Sequence, residues 1–140
     1  MIIRTFIGQD EEQVIRLWNH CGLTVPWNDP ASDIRRKMEI GSELFLVGED
    51  EGRIVASVMG GYEGHRGWVN YLAVEPGRQG RGLGRQLMQH LERLLLEKGC
   101  PKINLQVRTS NKNVARFYKA LGYQVDEVVS LGKRLPTNTV

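Results

Sequence analysis

The chain has 140 residues, 41% of them hydrophobic and 25% charged, and its formal net charge is +3. This composition excludes a disordered or collagen-like chain, and the length suits a single domain spanning residues 1–140. Cys21 and Cys100 lie far apart and outside any Cys/His cluster, so we expect no metal site, no disulfide framework and a cytoplasmic location. We expect neither a signal peptide nor a membrane helix, since no apolar stretch approaches roughly 20 residues.

Alternating strand and helix signals fill the first half of the chain. Asp10 precedes apolar residues at helical spacing, and Pro30 suits the first turn of another helix. The segment Asp50-Glu51-Gly52 separates two apolar runs, which predicts a hairpin. In chain order we predict strand Ile2–Ile7, a helix after Asp10, a helix from Pro30 to Gly41, strands Leu44–Glu49 and Arg53–Met59, a loop at Gly60–Gly67 and strand Trp68–Val74.

The second half begins with a glycine-rich turn and continues with two more helices. An amphipathic helix follows the turn and ends before Gly99 and Pro101, and Ser110 or Asn111 opens another that Gly122 closes. Strand Ile103–Val107 separates these helices, and short strands are predicted at Tyr123–Val125 and Val128–Leu135. Strands mixed with helices indicate an α/β or α+β domain around one sheet.

The turn itself has the composition of a phosphate-binding loop. Gly80, Gly82 and Gly84 alternate with other residues directly before a helix, where backbone N–H groups lack partners and the helix dipole is positive. Arg81 lies between the glycines, and Arg78 and Arg85 flank them. Neither the P-loop pattern nor the Rossmann pattern fits this spacing. The residues alone therefore favour a phosphate-containing ligand over a plain loop without naming it.

Three segments resemble the GCN5-related N-acetyltransferases, the GNAT superfamily. Gln79–Gly84 matches the signature Q/R-x-x-G-x-G/A, and Asn111–Tyr123 (NKNVARFYKALGY) is similar to N-x-x-x-x-x-[FL]-Y-x-x-x-G-[FY]. The residues Leu72-Ala73-Val74-Glu75-Pro76 resemble the L-x-V-x-P segment that precedes the turn. The whole chain resembles the small bacterial acetyltransferases of the YpeA type.

The resemblance implies a mixed, mostly antiparallel sheet of 6–7 strands, splayed between strands 4 and 5, with about four helices on both faces. It also implies direct transfer of an acetyl group from acetyl-CoA to a primary amine of a small molecule, a protein N-terminus or a lysine. Acetyl-CoA would be the cosubstrate and no metal would take part. The acceptor stays open, and a homodimer is an open expectation because many members of the family dimerise.

The resemblance also assigns site residues. Tyr118 would protonate the departing thiolate, although its helical spacing with Val114, Phe117 and Leu121 alone fits a core tyrosine. Glu63 is the first candidate base and His65 the second, unless both are solvated loop residues, and Trp27 would overhang the acceptor or simply fasten its loop. The residues expected to bind acetyl-CoA are Leu72, Ala73, Val74, Gln79, Gly80, Arg81, Gly82, Leu83, Gly84, Arg85, Asn111 and Tyr118.

Two other functions are alternatives to the enzyme. The absence of an obvious base keeps open a CoA-binding sensor or interaction module that has the fold without transfer activity. The basic excess suggested nucleic acid, but aromatic residues do not interleave with a basic stripe and no nucleic-acid motif occurs. We therefore expect neither a nucleic-acid nor a membrane partner, and we assign the excess to the turn.

Overall fold

A computed structural model describes residues 1–137 of the chain. They form two compact units, which divide after Gln106. The expectation of a single domain over residues 1–140 stays a prediction, and its last three residues lie outside the described part. The elements are β1 (Ile2–Thr5), α1 (Glu11–His20), α2 (Pro30–Ile40), β2 (Phe45–Asp50), β3 (Arg53–Tyr62), β4 (Gly67–Val74), α3 (Leu83–Glu97), β5 (Ile103–Leu105) and α4 (Lys112–Ala120).

The first unit is built around one mixed sheet. Its five strands lie in the order β1-β2-β3-β4-β5, and only the pairing of β4 with β5 is parallel. Successive residues of β3 point to opposite faces: a Cβ at Gly60 would meet Leu91 of α3, and a Cβ at Gly61 would meet Lys37 of α2. The predicted α/β class and the mostly antiparallel sheet are confirmed, with helices on both faces of this unit.

The predicted sheet of 6–7 strands is wrong for the part of the chain that the structure describes, which has five. The segments Tyr123–Val125 and Val128–Leu135 contain no regular strand. Their aliphatic side chains are exposed, with Val125 at 80% and Leu131 at 89% of full accessibility. An apolar run that buries no face gains nothing to offset the loss of chain entropy, so β-branched residues alone do not produce a strand here.

The predicted loop at Gly60–Gly67 is also shorter than expected. β3 continues through Gly60 and Gly61 to Tyr62 and pairs with β4 down to Gly67. A Cβ at Gly60 would lie 2.5 Å from a methyl carbon of Leu91. This glycine therefore allows close packing of α3 on the sheet and does not mark a turn.

The core on the α1 side is aromatic. The rings of Phe6 and Phe45 stack with centroids 4.3 Å apart, and Trp18 is fully buried beside them. The helix expected after Asp10 is present, but the Asp10 side chain does not cap it, because its carboxylate binds the Arg4 guanidinium at 2.8 Å and the N–H of Ile7 at 2.9 Å. These contacts connect the start of α1 to β1.

Candidate active site

The glycine-rich turn begins where β4 ends. The N–H of Glu75 makes the last hydrogen bond to β3, to the carbonyl of Val55, and a 3₁₀ turn at Pro76–Arg78 follows. Gly80 has φ of +81° and Gly82 has φ of +79°, both in the left-handed region that glycine enters at low cost. Two of the three alternating glycines, Gly80 and Gly82, are therefore required by the backbone conformation of this turn.

The start of α3 presents free backbone donors. Gly82 occupies the N-cap position and has no side chain that could accept a hydrogen bond from the first turn. The first helical bond joins Gln86 N–H to the Gly82 carbonyl at 3.0 Å, so the N–H groups of Leu83, Gly84 and Arg85 precede the helical pattern. Such a helix start suits an anion, and the fit to a pyrophosphate is good.

Two of the three arginines at the turn are available to such an anion. Arg81 and Arg85 are exposed, and neither forms an ion pair with another residue in the range 1–137. Arg78 instead binds the carboxylates of Asp50 and Glu75. The sequence-based expectation that Arg78 adds charge for the ligand is therefore not supported, because its charge is already compensated.

β4 has an unpaired edge beside this turn. β5 pairs only with Gly67, Trp68 and Val69, where the resemblance predicts the sheet to splay. Leu72–Val74 consequently have no strand partner on the β5 side within the first unit. A free strand edge can bind an extended chain of amide groups, which the pantetheine arm of CoA contains.

β4 also bulges just before that free edge. The pairs Ser57–Ala73 and Met59–Asn70 enclose one residue of β3 but two of β4, Tyr71 and Leu72. Tyr71 has φ of +52°, although a left-handed conformation costs a residue with a Cβ roughly 1–2 kcal/mol. The surrounding contacts must offset this strain.

Tyr71 is held through both its side chain and its carbonyl. Its ring stacks on Trp18 with centroids 3.8 Å apart, and its hydroxyl donates a hydrogen bond to Asp33 at 2.6 Å. Burial and the Asp33 carboxylate raise the pKa of Tyr71, so the phenol stays protonated. Ser57 accepts a hydrogen bond from Trp18 Nε1 at 2.8 Å and donates one to the Tyr71 carbonyl at 3.0 Å.

Sequence reasoning missed this arrangement. Trp18 packs in the core, where it is completely buried, but nothing in the sequence indicates its hydrogen bond to Ser57. Ser57 is the one polar residue inside the apolar run from Ile54 to Met59, and that was the available signal. A polar residue within a buried strand requires hydrogen-bond partners.

A pocket of about 340 Å³ lies at the other end of β4 from the turn. Glu63 is among its lining residues, and Oε1 of Glu63 accepts the N–H groups of His65 at 2.8 Å and Arg66 at 2.6 Å. These hydrogen bonds from N–H groups lower the pKa of Glu63. Both go to Oε1, so Oε2 is still able to accept a proton. The pocket is lined in part by Lys37, Gly61, Tyr62, Glu63, Trp68 and Lys98.

Glu63 is exposed, and the other predicted acceptor-side residues also lie on the surface. His65 is exposed, and so is Trp27, in the connection between α1 and α2. Trp68 lines the pocket while 41% of its surface stays accessible, and sequence reasoning did not single it out. Its position opposite Gly61 on β3 is a consequence of the unexpected extension of that strand.

The second unit carries the remaining predicted residues on α4. Asn111 is the N-cap, and its side-chain oxygen accepts the N–H of Val114 at 3.4 Å. Tyr118 is buried, with its ring edge-on to Phe117 and Tyr123. Burial raises the pKa of Tyr118 to about 12, so its hydroxyl keeps its proton at neutral pH.

A comparison with known families agrees with the geometry of the turn. The profile of the Acetyltransferase (GNAT) family matches residues 12–123. The chain belongs to the GNAT acetyltransferase family. It is 51% identical over 135 residues to an acetyltransferase of Yersinia enterocolitica, and the match covers 96% of each chain. An acetyltransferase of Yersinia pseudotuberculosis is similar to the same extent.

Solved structures share the fold of this GNAT acetyltransferase. Ard1 from Thermoplasma volcanium superposes with a TM-score of 0.77 at 28% identity, over 89% of this chain and 83% of that one. A putative acetyltransferase from Agrobacterium tumefaciens has a TM-score of 0.76 at 16% identity, over 96% and 100% of the two chains. At that lower identity the likeness concerns the fold alone.

Two features are absent from the described part of this GNAT chain. Within residues 1–137, no helix is both long and apolar enough to cross a membrane. Across the same described residues, no group of three or more His, Cys, Asp or Glu side chains could hold a metal ion.

Proposed function

We propose that the chain is an acetyl-CoA-dependent N-acetyltransferase that moves the acetyl group directly to a primary amine. The observation that supports this proposal is that two binding features are continuous. The free edge at Leu72–Val74 leads directly into the glycine-rich turn, and the backbone amides at the end of that turn begin α3. One feature suits the pantetheine arm and the other the pyrophosphate of a single ligand. The amine of a small molecule, a protein N-terminus or a lysine would be the acceptor.

Binding of acetyl-CoA would divide among the residues predicted from the sequence. Backbone amides from Arg81 to Arg85, including those of Gly82, Leu83 and Gly84, would hold the pyrophosphate, with the Arg81 and Arg85 side chains adding charge. Gly80 gives the turn its shape, and Gln79 closes it. Leu72, Ala73 and Val74 would bind the pantetheine arm through their backbone, and the family resemblance adds Asn111 and Tyr118 as further cofactor contacts.

In the proposed reaction, the neutral amine nitrogen attacks the thioester carbonyl carbon. The C–N bond forms, the C–S bond breaks, a base receives the ammonium proton and the departing sulfur receives a proton. Tyr118 would donate to the sulfur, since its raised pKa keeps the hydroxyl protonated until charge develops there. A backbone N–H at the start of the free β4 edge would stabilise the oxyanion.

The acceptor amine must lose a proton before it attacks. A lysine-like amine has a pKa of about 10.4, so its deprotonation at pH 7 costs roughly 4–5 kcal/mol. Oε2 of Glu63 in the pocket is the first candidate base, and His65 is the second. Trp27 would contribute to the acceptor side. An α-amine, with a pKa of about 8, would need the base less.

Calorimetry with acetyl-CoA, followed by thiol-release assays across a panel of amines, tests the proposal. We expect binding and release of free CoA with at least one amine. No binding at concentrations of tens of micromolar would refute acetyl-CoA dependence. Binding without thiol release for any amine would support the alternative, a CoA-binding sensor or interaction module.

Four expectations that are more specific than the family and the fold stay predictions. They are a relationship to the YpeA type, a cytoplasmic location, a possible homodimer and the absence of a metal, nucleic-acid or membrane partner. Light scattering coupled to size exclusion separates a monomer of 15.9 kDa from a dimer.

A further inference from the structure

We propose that Ser57 is a positioning residue for acetyl transfer. Together with Trp18, it would hold the peptide between Tyr71 and Leu72 in the orientation that the reaction uses. The inference rests on the proposed function, since it deepens the role of the β4 edge. Ser57 is fully buried on β3 and belongs to none of the motifs that define the turn or α4.

The direction of each hydrogen bond at Ser57 is determined by chemistry. An indole N–H can only donate, so Ser57 Oγ must accept from Trp18. A carbonyl can only accept, so the single Ser57 hydroxyl proton must go to the oxygen of Tyr71. Trp18 is itself completely buried and stacked on the Tyr71 ring, which closes a loop of contacts around one residue.

This loop acts on the strained residue of the bulge. Tyr71 has φ of +52°, where a residue with a Cβ is unfavourable. Removing the bond to its carbonyl would release one of the contacts that hold this conformation. The phenol bond to Asp33 and the stacking on Trp18 would remain, so the side chain would stay anchored while the peptide could rotate.

The orientation of that peptide determines where one N–H group points. All described peptide bonds are trans, so the N–H of Leu72 points opposite to the carbonyl of Tyr71 and therefore away from Ser57. Leu72 lies on the edge that β5 leaves unpaired. Ser57 thus presets a backbone donor at the place where the proposed reaction needs one.

The variant Ser57→Ala tests this role, and Leu46→Ala is its control. Leu46 is also buried, but on β2, which β3 separates from β4, so its truncation destabilises the fold without touching the loop of contacts or the bulge. We expect Ser57→Ala to lower kcat by about ten- to hundredfold with an unchanged Kd for acetyl-CoA. We expect Leu46→Ala to keep the wild-type kcat.

Combining Ser57→Ala with Tyr71→Gly distinguishes a positioning role of Ser57 from a role in stabilising the fold. Glycine adopts the left-handed conformation freely, so in Tyr71→Gly the bulge no longer needs to be held. Ser57→Ala should therefore lower kcat much less in this background than in the wild type. An equal loss in both backgrounds, or an unchanged kcat in Ser57→Ala, would overturn the proposal.

A spectroscopic readout keeps the test independent of turnover. In ¹H–¹⁵N NMR spectra of the ligand-free protein, the Leu72 amide resonance should move in Ser57→Ala and stay in place in Leu46→Ala. An unmoved resonance would overturn the positioning role even if the wild type transfers no acetyl group. A moved resonance in a protein that binds acetyl-CoA without transfer would refute the proposed function alone.

Discussion

Gln79 Nε2 donates a hydrogen bond of 3.1 Å to the carbonyl of Val74, which ties the first residue of the glycine-rich turn to the last residue of β4. The turn is closed further by the N–H of Arg78, which donates to the carbonyl of Glu75 at 2.8 Å. These bonds hold the free amides of α3 beside the unpaired strand edge. Changes to the shape of the turn should therefore appear in the affinity for acetyl-CoA.

Gly82→Ala should weaken acetyl-CoA binding by about tenfold, because a Cβ in the left-handed region costs roughly 1–2 kcal/mol. Gly82 has φ of +79°, and relief of this strain would turn the N–H groups of α3 away from the ligand. Calorimetry measures the effect. Gly77→Ala is the control, since Gly77 has no positive φ and a Cβ there would meet no described atom within 4 Å. Equal affinities of the two variants would contradict the prediction.

Arg81→Gln should lower the affinity for acetyl-CoA but not for acetyl-pantetheine, which lacks the pyrophosphate. The exposed guanidinium of Arg81 has no carboxylate partner among the described residues, so its charge is available to an anion. The loss should shrink as salt is added, because exposed charges are screened. Competition binding with both ligands measures it. A parallel loss for acetyl-pantetheine would show that the change acts through the fold.

The turn and α4 could be predicted from the sequence because their requirements are local. Residue type and spacing are enough to indicate the left-handed glycines Gly80 and Gly82 and the capping residue Asn111. The bulge at Tyr71 could not be predicted, since a tyrosine occupies a conformation typical of glycine. Its stabilisation depends on Trp18 and Ser57, which are 39 positions apart in the chain.

Arg78, at the candidate site, is another residue whose contacts could not be predicted from the local sequence. Its place beside the turn suggested a phosphate contact, but Asp50, 28 positions earlier, binds it. Such a pairing follows from the register of the sheet and not from any local pattern. The reading of Gly60 as a loop residue failed for a related reason, because the close approach of Leu91 is a tertiary contact.

Tyr118→Phe should lower kcat by about a hundredfold while the Kd for acetyl-CoA is unchanged, because only the hydroxyl group that would donate the proton is lost. Tyr123→Phe is the matched control: it removes the same group from a ring that contacts Tyr118 in the same unit. Steady-state kinetics with the best amine from the panel measures both. If Tyr118→Phe retains the wild-type kcat, Tyr118 is a core tyrosine without a catalytic part.

Burial of Tyr118 should also appear in the stability at high pH. Its pKa is raised to about 12 from the ordinary value of 10.0, so the folded state holds the proton more tightly than the unfolded chain. Its contribution is fully present below pH 10 and is lost as the pH rises towards 12. Urea unfolding at several pH values should show a smaller loss in Tyr118→Phe. Tyr71, whose pKa is raised as well, still contributes to the loss of stability at high pH in that variant.

Glu63→Gln should lower kcat/KM for the acceptor by about a hundredfold if Oε2 of Glu63 receives the amine proton. The substitution should leave the conformation of the loop intact, because the glutamine oxygen can still accept hydrogen bonds from the N–H groups of His65 and Arg66. Since those bonds lower the pKa of Glu63, the base form should persist to a pH below the usual carboxyl range. His65→Gln, measured beside it, should have the smaller effect. An unchanged kcat/KM in Glu63→Gln together with a large loss in His65→Gln would transfer the role to His65.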